Sequence, residues 1–270
     1  MNAARGWARA AAIAAAARPE RRITLSAERL ADGRRWELDA ARRTPAASTI
    51  KLAILVALLR EVDAGRRSLA EIAAIAPEQR VGGSGVLCWL TPDLRLSLAD
   101  LAYLTIAVSD NTASNTLVDL LGEERLRETI AALAPGGMEL NRRFLGRLPH
   151  PDEGENFVSA AGLRAILTAI ARDEAASPTA CAWMRQTLER QQQRDLLARR
   201  LDEPLTFGGK SGWLPGLVHD AGLIGGPGGV LAVAVLTEGF TDPHEARETI
   251  GQIALALVEE AGIGAASETG

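Results

Sequence analysis

Apolar and polar positions change rhythm several times along this chain. Met1 to Arg18 is alanine-rich and reads as a first helix. Ile23 to Leu30 and Trp36 to Leu38 are strand-like runs separated by Ala31-Asp32-Gly33, whose Asp-Gly step predicts a hairpin. The run Ile50 to Leu59 is strongly apolar and suits a buried helix ending near Gly65. Residues 77–97 are loop-like, with Gly82-Gly83-Ser84-Gly85 and Thr91-Pro92-Asp93. Three helical patterns come next, over 97–108, 112–121 and 123–133. Pro135 to Glu155 has turn residues and no steady period, which predicts a long surface loop of the kind that is often functional.

Helical spacing resumes over 159–172 and 178–199. The last quarter turns to strand patterns at Leu205 to Gly209, Gly216 to Ile224 and Val230 to Leu236, the last two joined by Gly225-Gly226-Pro227-Gly228-Gly229. A final helix is expected from Pro243 to Glu260. Strands at both chain ends with helices between them predict an α+β fold: one antiparallel sheet built from both termini, with a helical insertion. No internal repeat is visible.

Composition removes several function classes. The net charge is −4, which argues against a nucleic-acid partner or an anionic membrane surface. No stretch approaches the roughly 18 apolar residues that suggest a membrane span. Cys88 and Cys181 cannot build a disulfide framework, and both read as buried thiols. His150, His219 and His244 are scattered without ligand spacing, so no metal and no cofactor are expected. Arg5, Arg9 and a short apolar core give Met1 to Arg18 a faint likeness to an export signal. With almost no leucine and with Arg21-Arg22 following, a first helix fits better. The expected location is cytoplasmic, with the periplasm or secretion as the alternative. The expected partner is a small molecule, and the expected state a monomer.

One count redirects attention. Of 30 basic residues only two are lysines, Lys51 and Lys210. Arginine stays charged in proteins, whereas a lysine amine can be tuned to neutrality. Lys51 belongs to Ser48-Thr49-Ile50-Lys51, and residues three apart share a helix face. A serine hydroxyl needs a nearby base to become a nucleophile, and a desolvated lysine beside a second cation can be that base. Ser109-Asp110-Asn111 comes after an apolar helix. Its serine can relay a proton and its asparagine can hold an amide, though such residues are also ordinary helix caps. Lys210-Ser211-Gly212, with Trp213 next, ends a predicted strand. There a lysine and a serine can hold a carboxylate and the glycine lets backbone approach.

Each segment alone is commonplace; together and in this order they are not. Ser109 lies 61 positions after Ser48, and Lys210 lies 101 after Ser109. The chain therefore resembles class A β-lactamases and penicillin-binding proteins, whose signature set is Ser-x-x-Lys, Ser-Asp-Asn and Lys-[Ser/Thr]-Gly. The resemblance spans nearly the whole length. It implies an α/β sandwich lobe from residues 1–45 and 200–270 with a five-stranded antiparallel sheet, an all-α lobe from 46–199, and an active site between them. It further implies Ser48 as the acylated nucleophile, Lys51 as its activating amine and Ser109 as proton shuttle to the leaving nitrogen. Asn111 would bind the substrate amide, Lys210, Ser211 and Gly212 its carboxylate side, and the backbone N–H groups of Ser48 and Trp213 would form the oxyanion hole.

The loop after Ser109 departs from that pattern. Class A enzymes place there a glutamate that activates the deacylating water. Counting from Leu140-Asn141 puts Gly137 at that place; counting from Arg142 puts Phe144 there. Neither is a base, and Glu139, Asp152, Glu153 and Glu155 do not have the family's spacing. Acylation is expected, with deacylation in question. The leading expectation is a β-lactamase-like hydrolase of cyclic amides or esters, of the kind tied to antibiotic resistance in bacteria. The others are a penicillin-binding sensor or DD-peptidase-like protein with little turnover, and an idle binding module. Trp89 is expected in the core, Trp213 at the cleft, and Gln191 to Arg194 on a solvated helix face.

Overall fold

The computed structural model describes residues 8–16 and 20–264. The chain opens with α1 (Ala8–Ala15), β1 (Arg22–Arg29), β2 (Arg35–Leu38), the short β3 (Thr44–Pro45) and α2 (Lys51–Asp63). Its middle carries β4 (Ile72–Ala74), β5 (Arg95–Ser97), α3 (Leu98–Ala107), α4 (Asn111–Leu121), α5 (Glu123–Leu133), β6 (Met138–Glu139) and β7 (Phe157–Val158). It closes with α6 (Ala160–Ala171), α7 (Pro178–Glu189), β8 (Thr206–Leu214), β9 (Leu217–Gly226), β10 (Gly229–Glu238) and α8 (Pro243–Glu260). Residues 1–7 lie outside the described part, so the first-helix expectation is met only over Ala8–Ala15, where Ala10 and Ala14 are buried.

The main sheet is five-stranded and antiparallel, in the order β2-β1-β10-β9-β8. Strands from the two chain ends thus meet where β1 pairs with β10, as the sequence pattern predicts. Successive side chains of a strand face opposite ways. On β10, Leu231, Val233 and Val235 join the core formed with α8 and α1, while Ala232, Ala234 and Leu236 join the core of the helical region. Because both faces are covered, β10 reads as an unbroken apolar run. The alanines leave room for α6, which lies across β10, β1 and β9.

α2 runs through the centre of the helical region, and from Lys51 to Leu59 every residue is buried. That all-round burial explains why its sequence shows no polar face.

Several expectations need correction. The helix expected over 178–199 ends at Glu189, and the chain leaves it for a 3₁₀ turn at Leu197–Arg200. The stretch 135–155 is not purely surface: Met138, Leu140 and Phe144 are buried, and β6 pairs with β7. The strand expected to stop at Gly209 continues to Leu214, so Lys210-Ser211-Gly212 lies inside β8. The region 77–97 includes β5 and two single 3₁₀ turns, Pro77–Gln79 and Leu87–Trp89. In the second turn only Leu87 points inward. Trp89 is 83% exposed rather than core, and Cys88 is half-buried, while Cys181 is buried as expected.

Candidate active site

The turn that carries Ser48 is tighter than an α-helix. Thr49 N–H donates to Ala46 C=O and Lys51 N–H to Ser48 C=O, both at 3.2 Å, giving three residues per turn ahead of α2. Residues i and i+3 eclipse in such a turn, which sets Lys51 beneath Ser48. Ala47, just before Ser48, has φ +46°, and Ser109 has φ +56°. The other described non-glycine residues with positive φ are aspartates, which tolerate that region better. Backbone strain held at Ala47 and Ser109 is the kind that packed surroundings impose at working sites.

Lys51 is fully buried. Its Nζ donates to the Ser109 carbonyl at 2.7 Å and to Asn111 Oδ1 at 2.8 Å, and lies 3.1 Å from Ser109 Oγ. Burial, and next the positive charge of Lys210, holds its amine well below the usual lysine range, against a smaller opposing pull from Asp110. Lys210 is fully buried as well, and burial lowers its amine to about 7 despite Asp220. Asp220 in turn is raised to about 7 by its own burial. Folding has therefore brought the chain's two lysines into one electrostatic unit.

Asp110 organises the approach. Its carboxylate caps α4 by accepting from Ala113 N–H at 2.9 Å, and accepts from Val86 N–H at 2.6 Å and Leu87 N–H at 2.9 Å. Gly85 must lack a side chain here, because a Cβ would overlap the Asp110 carboxylate. Asn111 also braces this loop: its Nδ2 donates to Gly82 C=O at 2.9 Å. Both ends of that amide are engaged, with the second Nδ2 hydrogen left to give.

β8 forms the opposite wall. A Cβ on Gly212 would lie 2.8 Å from Ser48 N, so only glycine lets the strand come this close. β8 is an edge strand, and Ser211 N–H points off the sheet to Gln191 Oε1 at 2.7 Å. Alternate residues of a strand direct their N–H groups the same way. Trp213 N–H therefore also points off the edge, on the side where the Ser48 turn stands. Beneath that turn, His219 Nε2 is 3.0 Å from Pro45 C=O, and its Nδ1 accepts from Thr237 N–H at 3.1 Å. Both ring nitrogens are used, which fixes the neutral Nε2–H tautomer, and burial lowers its pKa. It has no capacity to serve as a base in a triad.

Two adjoining clefts of about 260 and 340 Å³ share Ser48, Gly83, Ser84 and Trp213. The first adds Asn111, Phe144 and Leu148; the second adds Ser109, Ser211 and Gly212. Lys51 and Lys210 lie behind these walls. Trp213 is 57% exposed at the mouth, as expected from sequence.

The structure decides which residue faces Lys51 from the loop. Gly137 packs against Gly162 at the start of α6, away from the clefts. Phe144 lines the first cleft and puts its ring centroid 4.5 Å from Lys51 Nζ. Asn115, one helical turn beyond Asn111, clamps it: Phe144 N–H donates to Asn115 Oδ1 and Asn115 Nδ2 to Phe144 C=O, both at 2.9 Å. Three of the four loop carboxylates are bound to guanidinium groups instead, Glu139 to Arg43, Glu153 to Arg147 and Glu155 to Arg142, and Asp152 is exposed and lines neither cleft. Arg147 lowers Glu153 to about 2, and Arg43 lowers Glu139. A carboxylate whose pKa is lowered in this way is a poorer base, as are Glu139 and Glu153 here. Sequence reasoning missed Asn115, and also the contacts of Gln191 and Gln193 with Ser211; the segment 191–194 is not helical and Gln191 is buried, while residues 192–194 are exposed as expected.

Residues 7–261 match the family described as the beta-lactamase enzyme family. A beta-lactamase from Sphaerobacter thermophilus is 36% identical, over 95% of this chain and 98% of that one, with a TM-score of 0.90. PBP-A is 26% identical over 95% of each chain, with a TM-score of 0.83. A leucine-to-glutamate variant of PBP-A, solved as its acyl-enzyme complex with penicillin G, is 27% identical over 94% of this chain and 95% of that one, with a TM-score of 0.85. No protein of curated function matched the sequence.

Proposed function

The chain belongs to the beta-lactamase enzyme family, as a serine hydrolase directed at cyclic amides, and from that premise we propose that Ser48 is acylated by β-lactams or related amides and esters and released only slowly. In this reading Ser48 Oγ attacks the carbonyl carbon while its proton passes to the neutral Lys51 amine. Backbone N–H groups of Ser48 and Trp213 hold the developing oxyanion, donors worth roughly 3–4 kcal/mol each in comparable hydrolases. The C–N bond then breaks, and the leaving nitrogen takes its proton from Lys51 through the Ser109 hydroxyl. Asn111 offers its free amide hydrogen to the substrate, and Lys210 and Ser211 face its carboxylate side.

The observation that carries the first half is the fully buried Lys51 amine 3.1 Å from the Oγ of Ser109, which lines the second cleft together with Ser48. What limits the second half is Phe144, an aromatic ring where water would need a base. This favours a persistent acyl-enzyme over rapid turnover, and it is the one observation supporting a penicillin-binding trap as the second reading. Incubation with benzylpenicillin followed by intact-mass measurement should give a one-to-one adduct that outlasts many minutes. Ser48→Ala should give none. Absence of any adduct on the unaltered protein, or an adduct surviving in the variant, would refute the assignment.

A further inference from the structure

The wall of the second cleft is furnished for an anion, yet each of its donor groups already has a partner from within. Ser211 Oγ–H donates to Gln193 Oε1 at 2.8 Å. Lys210 Nζ donates to the Ser211 carbonyl at 2.7 Å. The Arg247 guanidinium, from α8, meets the Asp195 carboxylate at 3.0 Å. Gln193, Ser211 and Arg247 all line this cleft together with Ser48 and Ser109.

Gln193 holds its place by design of the segment that leaves α7. Gln191 is buried and works as a double tether: its Oε1 accepts from Ser211 N–H at 2.7 Å and its Nε2 donates to Gln193 C=O at 3.1 Å. Gln192 N–H donates to Ala107 C=O at 3.0 Å, anchoring the segment from the other side. The backbone of Gln193 is thus fixed while its side chain is exposed. An exposed side chain can rotate away at the cost of about one hydrogen bond.

A serine hydroxyl has a single proton to donate. An incoming substrate carboxylate and Gln193 Oε1 therefore compete for the same Ser211 O–H. We propose that Gln193 is a specificity-determining residue which occupies the anion subsite in the resting protein and so favours uncharged acyl donors, esters and amides lacking a free carboxylate, over anionic ones. This rests on the acylation of Ser48 proposed above. No chemistry changes; what changes is which substrates must first displace a protein group.

Benzylpenicillin and its methyl ester make a matched pair, with the same ring and acyl group and with or without the carboxylate charge. The rate of Ser48 acylation is followed by intact mass for both compounds, in the unaltered protein and in two variants. Gln193→Ala should raise the rate for benzylpenicillin relative to the ester by about two- to tenfold, the worth of one exposed hydrogen bond. Gln193→Glu brings a carboxylate to the subsite and should lower that ratio by a similar or greater factor. Equal changes for both compounds would show that Gln193 acts only through the fold, and overturn the proposal. So would selective slowing of the anion by Gln193→Ala, which would make the amide a ligand for the carboxylate. If neither compound acylates even the unaltered protein, the acylation reading falls and this proposal with it.

Discussion

Lys51 is fully buried, and after burial the strongest influence on it is the charge of a second amine, Lys210, so the cost of holding a cation there falls on its own proton. Its lowered pKa makes the neutral amine, the form the proposed mechanism uses as base, easier to reach than for an ordinary lysine. Lys210, lowered to about 7, changes charge in the same region of pH in which the protein would work. The signs are opposite for the two amines. Acylation should rise with pH as Lys51 gives up its proton, because the neutral form takes the serine proton. For an anionic substrate it should then fall as pH climbs past about 7, because Lys210 loses the charge that attracts the carboxylate. An uncharged ester should show the rising limb without the falling one. A pH profile of acylation rate for benzylpenicillin and its methyl ester checks this, and matching falling limbs would count against Lys210 as the anion's partner. Lys51→Ala should lose about 10²- to 10⁴-fold in acylation, and Lys51→Arg should not restore it, since a guanidinium stays protonated.

Among the elements, the loop between α5 and α6 is the one that would govern the fate of the proposed acyl-enzyme. It is braced as a unit: Asn156 Oδ1 accepts from Asn141 N–H at 2.8 Å and Arg142 N–H at 3.0 Å, and Arg142 pairs with Glu155 at 2.6 Å. That bracing, with the Asn115 clamp, presents residue 144 to the cleft whatever its side chain. A carboxylate there would stand where the ring now stands, close to Lys51 and to any water near the acyl carbonyl. Phe144→Glu should therefore shorten the lifetime of the benzylpenicillin adduct by roughly tenfold or more, read as loss of adduct mass with appearance of hydrolysed drug. An unchanged lifetime would mean that the ring is not what withholds the base.

At the scale of the whole molecule, a buried charge cluster between α6 and β1 joins the helical region to the sheet. Glu28 of β1 is 1% exposed; its Oε2 accepts from Arg164 of α6 at 2.5 Å and from Arg35 at 2.8 Å, and its Oε1 forms an ion pair with Arg172 at 2.9 Å. Arg164 also donates to Ser26 Oγ at 2.9 Å. Such a cluster contributes little relative to an apolar replacement of all its members, but removing one partner strands a buried charge. Arg164→Met should cost about 3–5 kcal/mol in urea unfolding, with the acylation rate of the folded fraction unchanged. A cost below about 1 kcal/mol would mean that Arg35 and Arg172 suffice to neutralise Glu28.

Much of the fold, and the residues of the candidate site, were legible in the chain itself. The hairpin before Ser48, the strands at both ends and the apolar run of α2 come from periodicity, because a strand or helix with one environment repeats its side-chain character at a fixed interval. The two lysines stood out because every other basic residue is arginine. Where local signals are short the reading failed: helix spacing ran on past Glu189, although the chain turns there to bring Gln191 and Gln193 onto β8, and a solvent-facing tryptophan at position 89 looked like core. Nothing in the local pattern chose between Gly137 and Phe144 either. Both count correctly from neighbouring residues, and only the Asn115 clamp, set 29 positions away from Phe144, puts the ring over Lys51. The order of residues alone settles which chemical groups are available and how they succeed one another. Which groups touch, how far each amine is stripped of water, and which donors are already taken are matters of tertiary packing, because desolvation and hydrogen-bond competition depend on distances that no local pattern encodes.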